Sequence, residues 1–116
     1  MSWDVSLTIA GVAWAGKDWN YTYNTTPMIL EAMTRAGIDG KRWGDLIDGA
    51  SGPVGRRFLE QIVEQWDASP DDFQAMNPPN GWGSFTGEHG IRQVFGDMIA
   101  AASDIPDNVP TVWTYT

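Results

Sequence analysis

The sequence predicts an α+β domain: a small antiparallel sheet of about three strands, drawn from both chain ends, with three main helices packed on one face. Three observations lead there. An alternating segment opens the chain, a β-branched and aromatic segment closes it, and the stretches between carry apolar residues at helical spacing. With 116 residues, 42% apolar and 19% charged, the chain fits a single domain over residues 1–116. A chain of that length buries roughly two thirds of its unfolded surface.

Trp3, Val5, Leu7 and Ile9 alternate with Asp4, Ser6 and Thr8, which predicts a half-buried strand over 3–9. The stretch AGVAWAGKDW then turns the chain, with Gly11, Gly16 and Asp18 as turn residues, and a second short strand around Trp19 to Tyr23 completes a hairpin. Thr26 before Pro27 opens a helix, PMILEAMTRA, which Gly37 stops. Val54, Phe58, Leu59, Ile62, Val63 and Trp66 form the apolar face of a second helix, opposite Arg56, Arg57, Glu60, Gln61 and Glu64. Ser69 caps a short helix over 70–76, ended by Asn77-Pro78-Pro79. A last helix begins after Thr86, carries Ile91, Val94, Phe95, Met98, Ile99 and Ala102 inward, and stops before Asp104. Val109 and residues 111–115 supply the final strand. The other sheet face is left either free or as the surface of a homodimer.

Fifteen acidic residues against seven basic ones give a net charge of −8, which opposes binding of duplex nucleic acid through counterion release. The charge serves solubility or steers the chain toward a basic partner. There are no cysteines, so disulfides and thiolate metal sites are excluded. The N-terminal apolar stretch is broken by Asp4, Ser6 and Thr8 and has no basic flank, so neither a signal peptide nor a membrane span is expected there. The expected location is the cytosol, where the sequons at Asn20 and Asn24 go unglycosylated. Seven tryptophans are too many to be hidden together in so short a chain, and partly exposed ones mark contact surfaces.

Catalytic chemistry has little to stand on. His89 is the sole histidine, placed in the first turn of the last helix, so a two-histidine metal site or relay is excluded. Asp45 and Asp48 fit one helical turn or a solvated acidic face, and Asp71 and Asp72 are explained by capping and the helix dipole. No nucleophile elbow, phosphate loop, dinucleotide fingerprint or calcium loop occurs. No catalytic residue, metal ligand or cofactor is assigned.

Two loops stand apart: NYTYNTTPM, from Asn20 to Met28, and NPPNGWGSF, from Asn77 to Phe85. If the first is extended, Asn20, Thr22 and Asn24 project to one side and Tyr21 and Tyr23 to the other. In the second, Asn80 and Gly81 suit a positive-φ turn, Gly83 permits close backbone approach, and Trp82 is hard to hide between glycines. Both run into helices, whose first N–H groups would be open to an anionic or carbonyl-bearing ligand. Against that, Asn and Thr habitually satisfy their own turns, and Trp82 could plug the core. The candidate ligand-binding residues are Asn20, Tyr21, Thr22, Asn24, Asn77, Asn80, Trp82, Gly83 and Ser84.

The strand beginning DVSL, with NYTYNTTPM and NPPNGWGSF each opening a helix, is similar to a family of small proteins encoded by bacteriophages, prophages and some bacteria, whose function is not established. The similarity spans residues 4 to about 103, with the two loops as its specific part. It carries over Asn20, Thr22, Asn24, Met28, Asn77, Asn80, Gly81, Trp82 and Gly83. Ile29 stands where members often have tryptophan, and the first hairpin is shorter than theirs, so less is implied about that hairpin. The resemblance implies a phage-associated accessory protein of the host cytosol, one that sequesters a host defence signal.

Two functional expectations result. The first is a non-catalytic protein holding a small polar or nucleotide-like ligand between the loops; an anionic ligand needs Lys17, Lys41, Arg42 or Arg92 close by. The second is a protein-interaction module in which Trp82, Trp19 and Tyr21 form an exposed patch that docks onto a host protein. An enzyme built on Asp45, Asp48 or His89 is the weakest alternative.

Overall fold

Alternation in the first segment produces the central strand of the sheet. A computed structural model describes the backbone of residues 2–9, 12–39 and 42–116, and the side chains of these apart from 12–15. β1 (Ser2–Ile9) lies between β2 (Val12–Thr22) and β3 (Thr111–Tyr115), antiparallel to both. Pairing Trp3 with Tyr21, Val5 with Trp19 and Leu7 with Trp113 puts all six side chains on the face that meets the helices. The opposite face carries Asp4, Ser6, Asp18, Asn20 and Thr114, which is a polar and acidic surface. Each face follows from residue parity alone.

β2 is longer than expected. Gly16 and Asp18 are strand residues opposite Thr8 and Ser6, not turn residues, and the register shifts between Thr8 and Ile9. A Cβ at Gly16 would collide with the Leu7 carbonyl oxygen, so glycine is needed where the chains close up beside this irregularity. Gly11, the remaining expected turn residue, the Trp14 side chain and Lys41 lie outside the described residues.

After β2 a 3₁₀ turn (Tyr23–Thr25) leads into α1 (Thr26–Arg35). The later helices are α2 (Trp43–Ile47), α3 (Gly52–Ala68), α4 (Pro70–Gln74) and α5 (Ile91–Ser103). Pro27 sits in the first turn of α1, and Gly37, at φ +74°, follows its end. Ser51 caps α3, its hydroxyl accepting from the Val54 N–H at 3.4 Å. Ser69 makes no such bond at α4, and Asp72 pairs with Arg35 at 2.9 Å instead of serving only the helix end.

The apolar stripe of α3 is rotated from the expected one. Phe58, Leu59, Ile62, Val63 and Trp66 are buried, but Val54 is 63% exposed. Gly55 takes the inward place because the Trp113 ring lies directly on it, where a Cβ would overlap the indole. The Trp113 indole N–H then donates to the Gly52 carbonyl at 3.1 Å. α5 starts later than expected. Its first turn begins at Ile91, so His89 lies in the exposed turn before the helix.

Aromatic rings join the layers. Trp3 meets Trp43 edge-on at 5.0 Å, Trp43 meets Phe95 at 5.4 Å, and Trp66 meets Phe95 at 5.0 Å and Phe85 at 5.8 Å. Trp3, Trp43, Trp66 and Trp113 are fully or almost fully buried, whereas Trp82 is 70% exposed. No helix among the described residues is long and apolar enough to cross a membrane.

Candidate functional site

The two Asn- and aromatic-rich loops meet, and Tyr21 joins them. Its position on β2 directs the ring to the core side, and its hydroxyl donates to the His89 carbonyl at 2.6 Å while accepting from the Ser84 N–H at 3.2 Å. Gly83, at φ +90°, lies against Thr22 and Thr25; a Cβ there would stand 2.6 Å from the Thr22 methyl. Trp66 anchors both loops from below. Its indole N–H donates to the Met28 carbonyl at 3.1 Å, and its ring packs edge-on against Phe85.

The polar side chains within this junction are largely committed to building it. Asn77 Oδ1 accepts from the Phe85 N–H at 2.8 Å, Asn80 Oδ1 from the Trp82 N–H at 3.0 Å, and the Ser84 hydroxyl donates to the Thr86 carbonyl at 3.0 Å. Thr22 Oγ1 accepts from the Asn24 N–H at 3.2 Å, and the buried Thr25 donates to the Thr22 carbonyl. These are local turn and capping bonds. Asn20 belongs elsewhere: it lies on the outer sheet face, where Nδ2 reaches Ser2 Oγ, the Trp3 carbonyl and Asp4 Oδ1. The expected row of Asn20, Thr22 and Asn24 is broken because the backbone leaves the extended conformation at Tyr23.

The expected open N–H groups at the second loop are also engaged. Ile91 and Arg92, at the start of α5, donate to the Ser84 and Phe85 carbonyls at 2.9 and 3.0 Å. Nor do Trp19, Tyr21 and Trp82 make one exposed patch. Trp19 is half-buried against Trp113 with ring centroids 6.0 Å apart, and Tyr21 is half-buried against Trp3. Trp82 alone projects, between Gly81 at φ +75° and Gly83 at φ +90°. The loop is pinned on both sides and carries an indole that stays largely exposed among the described residues.

The residues weighed for catalysis are dispersed. Asp45, within α2, and Asp48, just past its end, are exposed, and Asp48 accepts from the Tyr115 N–H at 3.0 Å. No group of three potential metal ligands gathers among the described residues.

Sequence reasoning overlooked a cavity of about 110 Å³ that borders the first loop. Tyr23, Thr26, Arg42, Trp43 and Tyr115 line it, drawn from the 3₁₀ turn, α1, the residue capping α2, α2 itself and β3. Burial, followed by the neighbouring Tyr23 hydroxyl, pushes the Tyr115 phenol up to about 12, with Arg42 acting the other way. Arg42 had been named only as one of several cations, and Tyr115 only as a strand residue; nothing local in the sequence brings them together.

Thr26 Oγ1 is buried without a hydrogen-bond partner among the described residues. Thr26→Val removes that desolvated hydroxyl while keeping the branched shape, so unfolding free energy is expected to hold or rise by about 1 kcal/mol. Urea denaturation followed by circular dichroism measures this; a loss of about 1 kcal/mol or more would show that the hydroxyl contributes a bond to the fold.

Comparison of the chain with models of protein families, with curated proteins and with solved structures returned no match.

Proposed function

We propose that the chain is a non-catalytic binding protein that docks onto a partner protein through the joined loops, with Trp82 as the anchoring side chain. The observation carrying this reading is the 70% exposure of Trp82 on a loop whose neighbouring backbone is tied down. A large apolar side chain exposed on a loose loop would be ordinary. Here the ordering entropy of the loop is already spent, so an indole entering a pocket loses little further freedom. Tryptophan is also the residue type most enriched among interface anchors.

The partner's chemistry follows from the rest of the surface. With a net charge of −8, the chain favours a partner whose apolar pocket is rimmed by Lys and Arg, and long-range attraction raises the encounter rate. In this proposal the similarity of the loops to phage-encoded proteins makes a bacterial host protein the partner, with interference in a defence response as the outcome. The polar outer sheet face supports contact with solvent better than self-association, since a second copy there would bring Asp4 and Asp18 toward their own equivalents.

The test begins with capture from bacterial lysate by the unaltered chain and by Trp82→Ala, identification of retained proteins, and titration of the purified partner. Trp82→Ala is expected to weaken binding about 30-fold or more, the scale of a 2 kcal/mol anchor. Its unfolding midpoint should stay unchanged, and affinity of the unaltered chain should fall as salt rises. Equal affinity of the two chains for the purified partner would remove Trp82 from the interface and this reading with it.

A further inference from the structure

The cavity beside the first loop is lined by an arginine and by no carboxylate. Arg35, Arg56, Arg57 and Arg92 each lie within 4 Å of a carboxylate oxygen. Arg42 pairs with no carboxylate among the described residues, although the chain carries more than two acidic residues for every basic one. Its guanidinium lines the cavity and acts on the Tyr115 hydroxyl. Asp45, in the first turn of α2, acts on the same hydroxyl in the opposite sense but does not line the cavity. Among the described cations Lys17 also makes no such pair, but the cavity it lines holds Asp104, whereas the exposed Arg42 shares its cavity lining with no carboxylate.

The remaining lining supplies a donor and walls. Tyr23 and Tyr115 contribute neighbouring phenols whose hydroxyls hydrogen-bond each other, so the pair has one O–H left to offer a ligand. Trp43 is almost fully buried and meets the Tyr115 ring edge-on at 5.1 Å. Gly44 fixes that ring in place, because a Cβ there would overlap it. The Tyr115 hydroxyl therefore stands on a rigid support. The volume, about 110 Å³, admits the charged head of a molecule and leaves its remainder outside.

We propose that this cavity binds the carboxylate or phosphate group of a small ligand, with Arg42 pairing its charge and the free O–H of the hydrogen-bonded Tyr23–Tyr115 pair donating to one of its oxygens. Guanidinium forks match both oxyanions, and the aromatic walls lower the local dielectric, which strengthens the pair. A small polar ligand thus has a site on this chain that uses the first loop through Tyr23, separate from the docking surface at Trp82.

The experiment is an NMR titration of the isotope-labelled chain with acetate, benzoate and inorganic phosphate, against sodium chloride at matched ionic strength. Saturable shifts at the Trp43 indole and at residues 23–26, 42–44 and 115 are the expected result. Saturation by acetate or benzoate alone assigns a carboxylate ligand, by phosphate alone a phosphate ligand, and by both the shared oxyanion chemistry. Arg42→Gln should weaken binding by about tenfold or more, the scale of one charge-assisted hydrogen bond. Arg42→Lys should recover part of that loss, and Tyr115→Phe should weaken binding less than Arg42→Gln. Trp82→Ala should leave the titration unchanged, so failure here and failure of the docking reading are distinguishable. Shifts no larger than those from chloride, or the same saturation in a folded Arg42→Gln chain, would overturn the proposal.

Discussion

Replacing Trp66 by alanine is expected to lower the unfolding free energy by about 4 kcal/mol or more, a large part of what a domain this size has to lose. Trp66 is fully buried and makes ring contacts to Phe85 and Phe95. Its indole N–H is also the donor for the Met28 carbonyl, so truncation leaves a buried acceptor without its partner as well as a cavity. Trp66→Phe separates the two contributions. It keeps most of the ring volume and loses the indole bond, for an expected cost of about 1 to 2 kcal/mol. Urea unfolding followed by circular dichroism gives both values. Because Trp66 supports the start of α1 and Phe85 together, amide exchange at Ser84 and Phe85 should accelerate in Trp66→Ala before the rest of the sheet is affected. A loss below about 2 kcal/mol would mean the core closes over the missing indole and the loops are held by other contacts.

The sheet and the main helices were legible because their patterns are local. β1 shows its parity residue by residue, and the apolar positions of α3 and α5 recur within single helices. Departures occur where a partner distant in sequence decides. Val54 continues the α3 pattern but is exposed, because the Trp113 ring requires the backbone of Gly55 on the inward side. A glycine contributes nothing to a hydrophobic pattern, so that seat is invisible until β3 is placed. α2 has five residues, too few to display a period. The late start of α5 has a local cause instead: Gly87 sits at φ +102°, and the Ser84 and Phe85 carbonyls serve Ile91 and Arg92.

The candidate site was legible as a location and less so as chemistry. Composition marked both loops, and their contact depends on the Tyr21 hydroxyl reaching Ser84, 63 positions away in sequence. Thr22 was read either as a ligand group or as satisfying its own turn, and its observed bond is of the second kind; Asn77, Asn80 and Ser84 were named as ligand groups, and their observed bonds lie within their own loop. Asn20 fell on the wrong side of the sheet for a shared pocket because strand parity separates it from Tyr21. The exposure of Trp82 was foreseeable from its two glycine neighbours. The Arg42 and Tyr115 cavity was not, since three separate stretches of chain must assemble before it exists.

Gly83→Ala should distinguish a rigid anchor from a merely exposed one. Gly83 adopts φ +90°, which costs an L-residue of the order of 1 to 2 kcal/mol, and its added Cβ would meet the Thr22 methyl at 2.6 Å and the Thr25 methyl at 3.1 Å. The methyls belong to the first loop, and Thr25 is fully buried, so they have little room to withdraw. The substitution is therefore expected to destabilise the domain by about 2 kcal/mol and to part the loops, weakening the bonds between Tyr21 and Ser84. Trp82 remains in the variant and stays exposed. If preorganisation carries the docking affinity, binding of the captured partner should fall even though the anchor is intact, mostly through a slower or less productive association with a disordered loop. Thermal unfolding gives the stability change, and kinetics with the purified partner give the rates. Unaltered partner binding in a destabilised Gly83→Ala chain would show that Trp82 acts as a flexible contact, and the glycines flanking it would then serve only the closure of the two loops.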